Sequence, residues 1–421
     1  MIGLIDCNNF FVSCERVFRP DLNKKPVMVL SNNDGCVIAR SNEVKTLGIP
    51  MGIPFFKVKH LADQHKIQIF SSNFSLYADL SARVMQTLEN LVPDIEVYSI
   101  DEAFLDLSGI PELAEFGHII RHTVHQHIGI PTSLGIASTK TLAKIANYYA
   151  KKNATYNGVC ILQNESDVIS ALMDLHVGEI WGIGRKISES LFKLGIRTGW
   201  DLYLADRAWM RHKYTVTGER LWMELHGIPC NQVEELPSTK KSIQVTRSFS
   251  TSISNLEDLR PIVAGYATRA GEKLRKTQQR TQILSVYIRT NKFRPQDPQL
   301  YRTGTITLPF PIYDNLSLTK AACKVLEEIF IPGYKYQKAG VILLDFCPLN
   351  TVQLDLFSPS TTSQQEEKIS NLAIALDSIN RRYGRSTVIH GSCGLNVKWK
   401  DRKERISPAY TTRWEELPIV R

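Results

Sequence analysis

Apolar and polar positions along the chain fall into blocks whose period changes. Met1–Asp6 is a short apolar run ending in an acid and Pro26–Leu30 is a second, and both predict buried strands. Ser31–Gly35 is a turn cluster, after which Cys36–Leu47 has helical spacing and closes on Gly48, so a helix is predicted there. Apolar residues at 76, 80, 84, 88 and 91 give Leu76–Leu91 a helical face. Ile95–Leu107 alternates strongly enough to predict a hairpin, and Thr132–Ala137 reads as a strand before the helical run Thr141–Ala150. The first 160 residues therefore mix strands and helices around one α+β core.

Residues 166–232 read as short helices punctuated by Gly and Pro, with Glu234–Ser238 as a linker. From Lys241 the pattern becomes strand, helix (Leu256–Lys276), strand (Ile283–Thr290), strand (Thr303–Pro309), helix (Leu318–Phe330), strand (Ala339–Phe346). That β-α-β-β-α-β order is a split βαβ arrangement. Phe357–Gln365 is rich in Ser, Thr and Pro and predicts a flexible joint. The pattern assigns no elements to the final 50 residues.

Length and charge sharpen this division. At roughly 100–200 residues per domain, 421 residues suggest about three or four compact units. Apolar residues at 43% exclude wholesale disorder, and no apolar run approaches the roughly 20 residues that span a bilayer. The N-terminus carries an acid at its sixth residue and no basic stretch, which argues against a secretory signal. Eight scattered cysteines include no C-x-x-C pair, which argues against a disulfide framework or zinc module and fits a reducing cytosol. The formal charge is +9, unevenly placed: residues 1–240 hold 24 Lys+Arg and 26 Asp+Glu, whereas 241–350 hold 16 and 8, a net of +8. A basic module joined to a near-neutral one is the electrostatic footprint of a polyanion binder; a merely solubilised basic surface is the alternative.

The candidate chemistry lies in acids far apart in sequence, each at a strand. Asp6 ends the first strand, and Asp101-Glu102 sits in the predicted hairpin. Three converging carboxylates would hold hard divalent ions, which take oxygen ligands and keep substrate phosphates in the rest of their shell. Two such ions about 3.5–4 Å apart serve phosphoryl transfer. The acids alone are equally compatible with a strand terminus and a turn.

Context favours the chemistry. DCNNFFVSCE (6–15), SIDEAFLDLSG (99–109), LGIASTKTLAKIAN (134–147) and IWGIGRKISESLFKLGI (180–196) occur in this order. Together they resemble the Y-family, or translesion, DNA polymerases, over about residues 1–350. SNNDGCVIAR (31–40), SNFSLYADLS (72–81) and QLDLF (353–357) resemble that family's UmuC branch.

The resemblance implies an α+β multidomain, right-hand polymerase: palm (1–30 and 75–165), small fingers (31–74), helical thumb (166–233) with a helix-hairpin-helix, β-α-β-β-α-β little finger (241–350) and a C-terminal extension (351–421). It implies that Asp6, Asp101 and Glu102, with the carbonyl of Cys7, hold two Mg²⁺. Phe11 matches the steric gate that excludes a ribose 2′-hydroxyl, and Phe10 is expected with it among the nucleotide-binding residues. Lys45 and Lys151 fall where the triphosphate would need cations, although Asn42 replaces the family's usual aromatic. Gly182, Gly184 and Lys186 match a phosphate-gripping turn, where glycines let backbone N–H groups approach a strand. In the basic module, Arg269, Lys273, Arg275, Lys276 and Arg280 are expected to track phosphates. Gln353, Leu354, Leu356 and Phe357 resemble a peptide that docks on the bacterial sliding clamp.

The activity implied is error-prone, template-directed DNA synthesis in the SOS response by a cytoplasmic, nucleoid-associated enzyme. Its substrates would be primer-template DNA and deoxynucleoside triphosphates, and its partners the clamp, a processed UmuD-type dimer and RecA. The final 50 residues are expected to bind partners. Two other readings compete: a catalytically silent DNA-binding protein that keeps the fold, and another two-metal palm enzyme such as a nucleotidyl cyclase. Intact carboxylates and Phe11 argue against the first, the basic module against the second. His118, His122, His125 and His127 crowd one helix, and they read as its polar outer face rather than a metal site.

Overall fold

Ile2–Cys7 (β1) is the strand around which the first half of the chain is built, because it is buried on both faces from Gly3 onward. The computed structural model describes residues 1–234, 239–349, 363–384, 386–394 and 402–419. It divides into two compact units, Met1–Pro237 with Lys403–Arg421, and Ser238–Arg402. Length alone suggests more.

In the first unit, Val27–Leu30 (β2), Val37–Arg40 (β3), Gln68–Ser71 (β4), Ile95–Val97 (β5), Glu102–Asp106 (β6), Thr132–Ala137 (β7) and Val159–Leu162 (β8) complete two sheets. The larger has the order β5-β6-β1-β7-β8, with β1 antiparallel to both neighbours. Successive residues of a strand face opposite sides. Ile5 accordingly joins one apolar cluster, beneath helices Phe74–Glu89 and Leu113–Ile128, and Leu4 joins another, beneath helix Lys140–Lys152. Gly135 lets that last helix close on the sheet: a Cβ there would collide with the backbone of Ala143 and Asn147. Asn147 Nδ2 thereby donates to the carbonyls of Leu4 (3.0 Å) and Ser133 (2.8 Å).

The smaller sheet, β3-β2-β4, has its own core of Met28, Leu30, Val37, Val44, Ile49 and neighbours. Here the helix expected over Cys36–Leu47 is corrected. Val37–Arg40 is a strand paired with β2, and only Asn42–Thr46 is helical. Ser41 divides the two, its Oγ accepting from Val44 N as the helix cap. Residues 165–225 form the α-helices Glu165–Met173, Arg185–Lys193, Gly199–Tyr203 and Arg207–Leu225, the last broken at Tyr214-Thr215, with a 3-10 turn at Val177–Glu179, short and punctuated as the pattern predicts.

The second unit runs Ser242–Ile253 (β9), helix Leu256–Lys276, Gln279–Thr290 (β10), Tyr301–Ile312 (β11), helix Asn315–Ile329 and Tyr336–Pro348 (β12). The sheet order is β11-β10-β12-β9, all neighbours antiparallel. Each helix thus joins two parallel strands with one strand between them, which is the split βαβ form. Residues facing the helices, such as Ile243, Val245, Leu284, Val286 and Ile288, are buried with them in one cluster.

The C-terminal residues, to which the pattern assigns no elements, carry structure in both units. Helix Ser363–Arg382 belongs to the second unit, where Arg275 forms a two-pronged ion pair with Asp377, both N···O distances 2.8 Å. Segment 403–419 packs in the first unit. Ser71 N donates to the carbonyl of Arg405 (2.9 Å), and Ile406 extends the sheet edge beside Ser71. Among the described residues no helix is long and apolar enough to cross a membrane.

Candidate active site

The candidate carboxylates lie at one end of the larger sheet, where β1 meets β6. Asp6 and Glu102 are direct cross-strand partners in the β1–β6 ladder. Asp101 lies just before β6, where its carbonyl accepts from Cys7 N at 2.8 Å and draws the hairpin turn against the end of β1. Ser99 builds that turn: its Oγ accepts from Asp101 N and Glu102 N and donates to Asp101 Oδ1 at 2.6 Å. Cys7 is buried and its thiol is pushed up by burial, so only its backbone is available as a hard donor.

Helix Lys140–Lys152 supplies counter-charge along one face. Lys140 pairs with Glu96, Lys144 Nζ with Glu102 Oε2 at 3.1 Å, and Lys151 with Asp6. Asp6 is 8% exposed, and burial raises its carboxyl to about 7 although Lys151 opposes the rise; the Glu102 carboxylate adds to it. Lys144 is further held over the rings of Tyr98 (4.4 Å) and Trp181 (5.4 Å), whose Nε1 donates to Tyr98 Oη at 3.2 Å.

Lys45 lies on the short helix Asn42–Thr46. Its ammonium is pushed down by desolvation, then by Arg40 and Lys151, while Asp6 pulls the other way. Lys151 is the cation paired with Asp6, and the Arg40 guanidinium donates to the Ile49 carbonyl. The Phe11 ring is half-buried and lies flat on Tyr77, centroids 4.5 Å apart and planes within 16°. Phe10, 3% exposed, faces the core of the unit instead. The expectation that Phe10 touches a nucleotide is corrected on that ground.

Gly182 adopts φ +94°, a conformation glycine reaches without strain, and Gly184 begins helix Arg185–Lys193 with Lys186 exposed beside it. In the second unit Lys273 and Lys276 are exposed, and Arg269 pairs with Glu272. Arg275 and Arg280 are corrected: both are buried. Arg275 holds Asp377 and the Tyr313 carbonyl, and Arg280 donates to the Leu349 carbonyl and lies over Tyr313. A guanidinium spent on internal acceptors cannot also reach a phosphate. Gln353, Leu354, Leu356 and Phe357 lie outside the described residues.

Four residues escaped the sequence reading. Lys144 shares its helix face with Lys140, Asn147 and Lys151, a polar stripe at i, i+4, i+7 and i+11 that signalled a shared target. Arg40 closes the quoted SNNDGCVIAR motif. Arg289 and Lys338 are opposite each other in the β10–β12 ladder, on the sheet face away from the helices; the alternation of β10 carries that signal.

The donor set suits a hard cation: three carboxylates, one of them desolvated and already held by an ammonium. Among the described residues no group of three or more His, Cys, Asp or Glu side chains is gathered closely enough to hold a metal, the histidine-rich helix included. In this arrangement Lys151, Lys144 and Ser99 engage Asp6, Glu102 and Asp101.

The chain and its fold also match known proteins. Residues 5–148 match the impB/mucB/samB family, 240–356 its C-terminal domain and 165–196 its helix-hairpin-helix motif, while 370–420 match a domain of unknown function. Protein UmuC of Salmonella typhimurium is 42% identical over 425 residues, and protein ImpB of the same species 41% over 428, each covering 100% of both chains. Among solved structures, a Y-family DNA polymerase chimera (Dbh-Dpo4-Dbh) superposes with a TM-score of 0.69 at 22% identity, covering 83% of this chain and 100% of that one.

Proposed function

The chain belongs to the impB/mucB/samB family of error-prone, translesion Y-family DNA polymerases of SOS mutagenesis, and from that premise we propose how its own residues divide the work. The enzyme is a DNA-directed DNA polymerase that depends on divalent metal. In our reading, Asp6, Asp101, Glu102 and the Cys7 carbonyl would hold two Mg²⁺, which would supply Lewis-acid activation of the attacking oxygen and charge neutralisation at the leaving one. The observation that carries this reading is the cross-strand pairing of Asp6 with Glu102, with Asp101 tied to the end of β1.

The rest is positioning and charge. Lys151 and Lys144 hold two adjacent carboxylates in one place and offset their mutual repulsion, so the site is assembled before substrate arrives. Lys45 and Lys151 then offer cations to the triphosphate as point charges, while the Arg40 guanidinium is held by the Ile49 carbonyl. Phe11, backed by Tyr77, fills the space beneath the sugar. The substrates are primer-template DNA and nucleotides. The Gly182–Gly184 turn and the basic second unit, through Lys273, Lys276, Arg289 and Lys338, grip the backbone without reading sequence. Residues 31–74, proposed as the fingers, are few. They press weakly on the nascent pair, which fits low fidelity because discrimination must come from contacts that differ between substrates.

Palm, fingers, thumb and little finger are assigned to 1–30 with 75–165, 31–74, 166–233 and 241–350. Clamp docking through Gln353–Phe357, partnership with a processed UmuD-type dimer and RecA, and nucleoid association complete the proposal. The deciding experiment is primer extension with purified Asp101→Ala and Glu102→Ala chains, with and without Mg²⁺. Incorporation should be abolished while DNA binding persists. Near-normal extension by either variant overturns the assignment.

A further inference from the structure

We infer that segment 403–419 is a positioning element for the sugar gate, acting from Ser407 through Glu15 and Tyr77 on Phe11; the inference rests on the reading of Phe11 just given.

The Phe11 ring has one broad support, the fully buried ring of Tyr77, with Phe74 standing edge-on to both at 6.0 and 6.2 Å. What fixes Tyr77 is its hydroxyl, which donates to Glu15 Oε1 at 2.6 Å. Ser407 Oγ donates to that same oxygen at 3.1 Å. Glu15 is fully buried, and its Oε2 has no hydrogen-bond partner among the described residues. The carboxyl is therefore held by two donors on one oxygen, one from the helix behind the gate and one from the C-terminal segment. Withdrawing Ser407 leaves Tyr77 bonded to a carboxyl that nothing else anchors.

Ser407 is itself placed with care. Asn73 Nδ2 donates to Ser407 Oγ (3.0 Å), Ser407 O (3.3 Å) and Pro408 O (3.4 Å), while Asn73 Oδ1 accepts from Leu76 N to cap the helix that carries Tyr77. Tyr410 stacks on Phe18, at the end of the helix that carries Phe11, with centroids 4.6 Å apart and planes within 9°. The segment thus touches both helices that meet at the gate, Phe10–Phe18 and Phe74–Glu89. A gate that works by filling space depends on small displacements, and its support here comes from residues more than 300 positions away. The region matched only by a domain of unknown function thereby acquires a role in substrate choice.

The test is single-nucleotide insertion on an undamaged primer-template by the full-length chain, comparing kcat/KM for ribo- and deoxynucleotides. Four variants are compared: Ser407→Ala, Ser407→Thr, Tyr77→Phe and Phe11→Ala. Ser407→Ala and Tyr77→Phe should each raise the ribo-to-deoxy ratio by about 3- to 10-fold, the span one net hydrogen bond covers. The change should fall on ribonucleotide KM, with deoxynucleotide kcat within about twofold, and Ser407→Thr should restore discrimination by returning the hydroxyl. If Phe11→Ala changes the ratio while Ser407→Ala and Tyr77→Phe do not, this inference fails alone. If Phe11→Ala leaves the ratio unchanged, the gate reading fails and takes this inference with it.

Discussion

Lys144 and Lys151, two turns apart on one helix face, hold neighbouring carboxylates on adjacent strands: Glu102, at 3.1 Å, and Asp6. The pairing follows from helix geometry, since residues at i and i+7 share a face and rise together along the axis. It means that the acids are neutralised by the protein itself.

Lys144 is therefore expected to compete with metal at Glu102. We predict that Lys144→Met lowers the Mg²⁺ concentration for half-maximal incorporation by up to about fivefold, the scale of a partly exposed ion pair. It should also lower kcat, because Glu102 loses the group that orients it. A metal titration of extension rate checks this, and an unchanged or raised Mg²⁺ requirement refutes it.

Arg275 was expected to meet DNA and instead is 8% exposed and paired with Asp377. Arg275→Ala should destabilise the second unit by about 3–5 kcal/mol, because it leaves Asp377, the Tyr313 carbonyl and Asn315 Oδ1 without their partner. DNA affinity of the folded variant should stay near that of the unsubstituted chain. Urea unfolding and a binding titration separate the two, and a loss of affinity without a loss of stability would restore the phosphate role.

Glu15 makes stability depend on pH. Burial raises its carboxyl to about 7 from an ordinary 4.5, against the hydrogen bonds from Tyr77 and Ser407; Cys14 and Tyr410 are the other titratable groups beside it. A raised pKa means that the folded state binds the proton more tightly. The associated stability is full below about 4.5 and is lost as pH rises through about 7. Glu15→Gln should flatten that slope across pH 5–8. Thermal melts of both chains over this range measure it, and equal slopes would contradict the assignment.

Arg289 and Lys338 lie opposite each other on the open face of the second sheet. If they neutralise phosphates, replacing both with Ala should reduce the slope of log affinity against log salt by about 2, at roughly 0.9 per phosphate on duplex DNA. Affinity should weaken alike on unrelated sequences. An unchanged slope would show that this face does not meet the duplex.

Much of the site was legible in the chain because its signals are local. An apolar run ending at Asp6 and an alternating stretch around Asp101-Glu102 report a strand end and a hairpin turn, and the β-α-β-β-α-β order follows from period alone. The stretch 36–47 misled because Val37 and Val44 are spaced as on a helix face, yet Val37 is buried by pairing with β2. Side-chain type says that Arg275 is charged, and only packing decides whether a carboxylate or water receives it. Likewise Ser407 reads as a small polar residue in an unassigned tail. Its hydrogen bond to Glu15 spans 392 positions, and no period records such a contact, because it exists only once β4, the two helices and the returning segment have closed around the same buried oxygen.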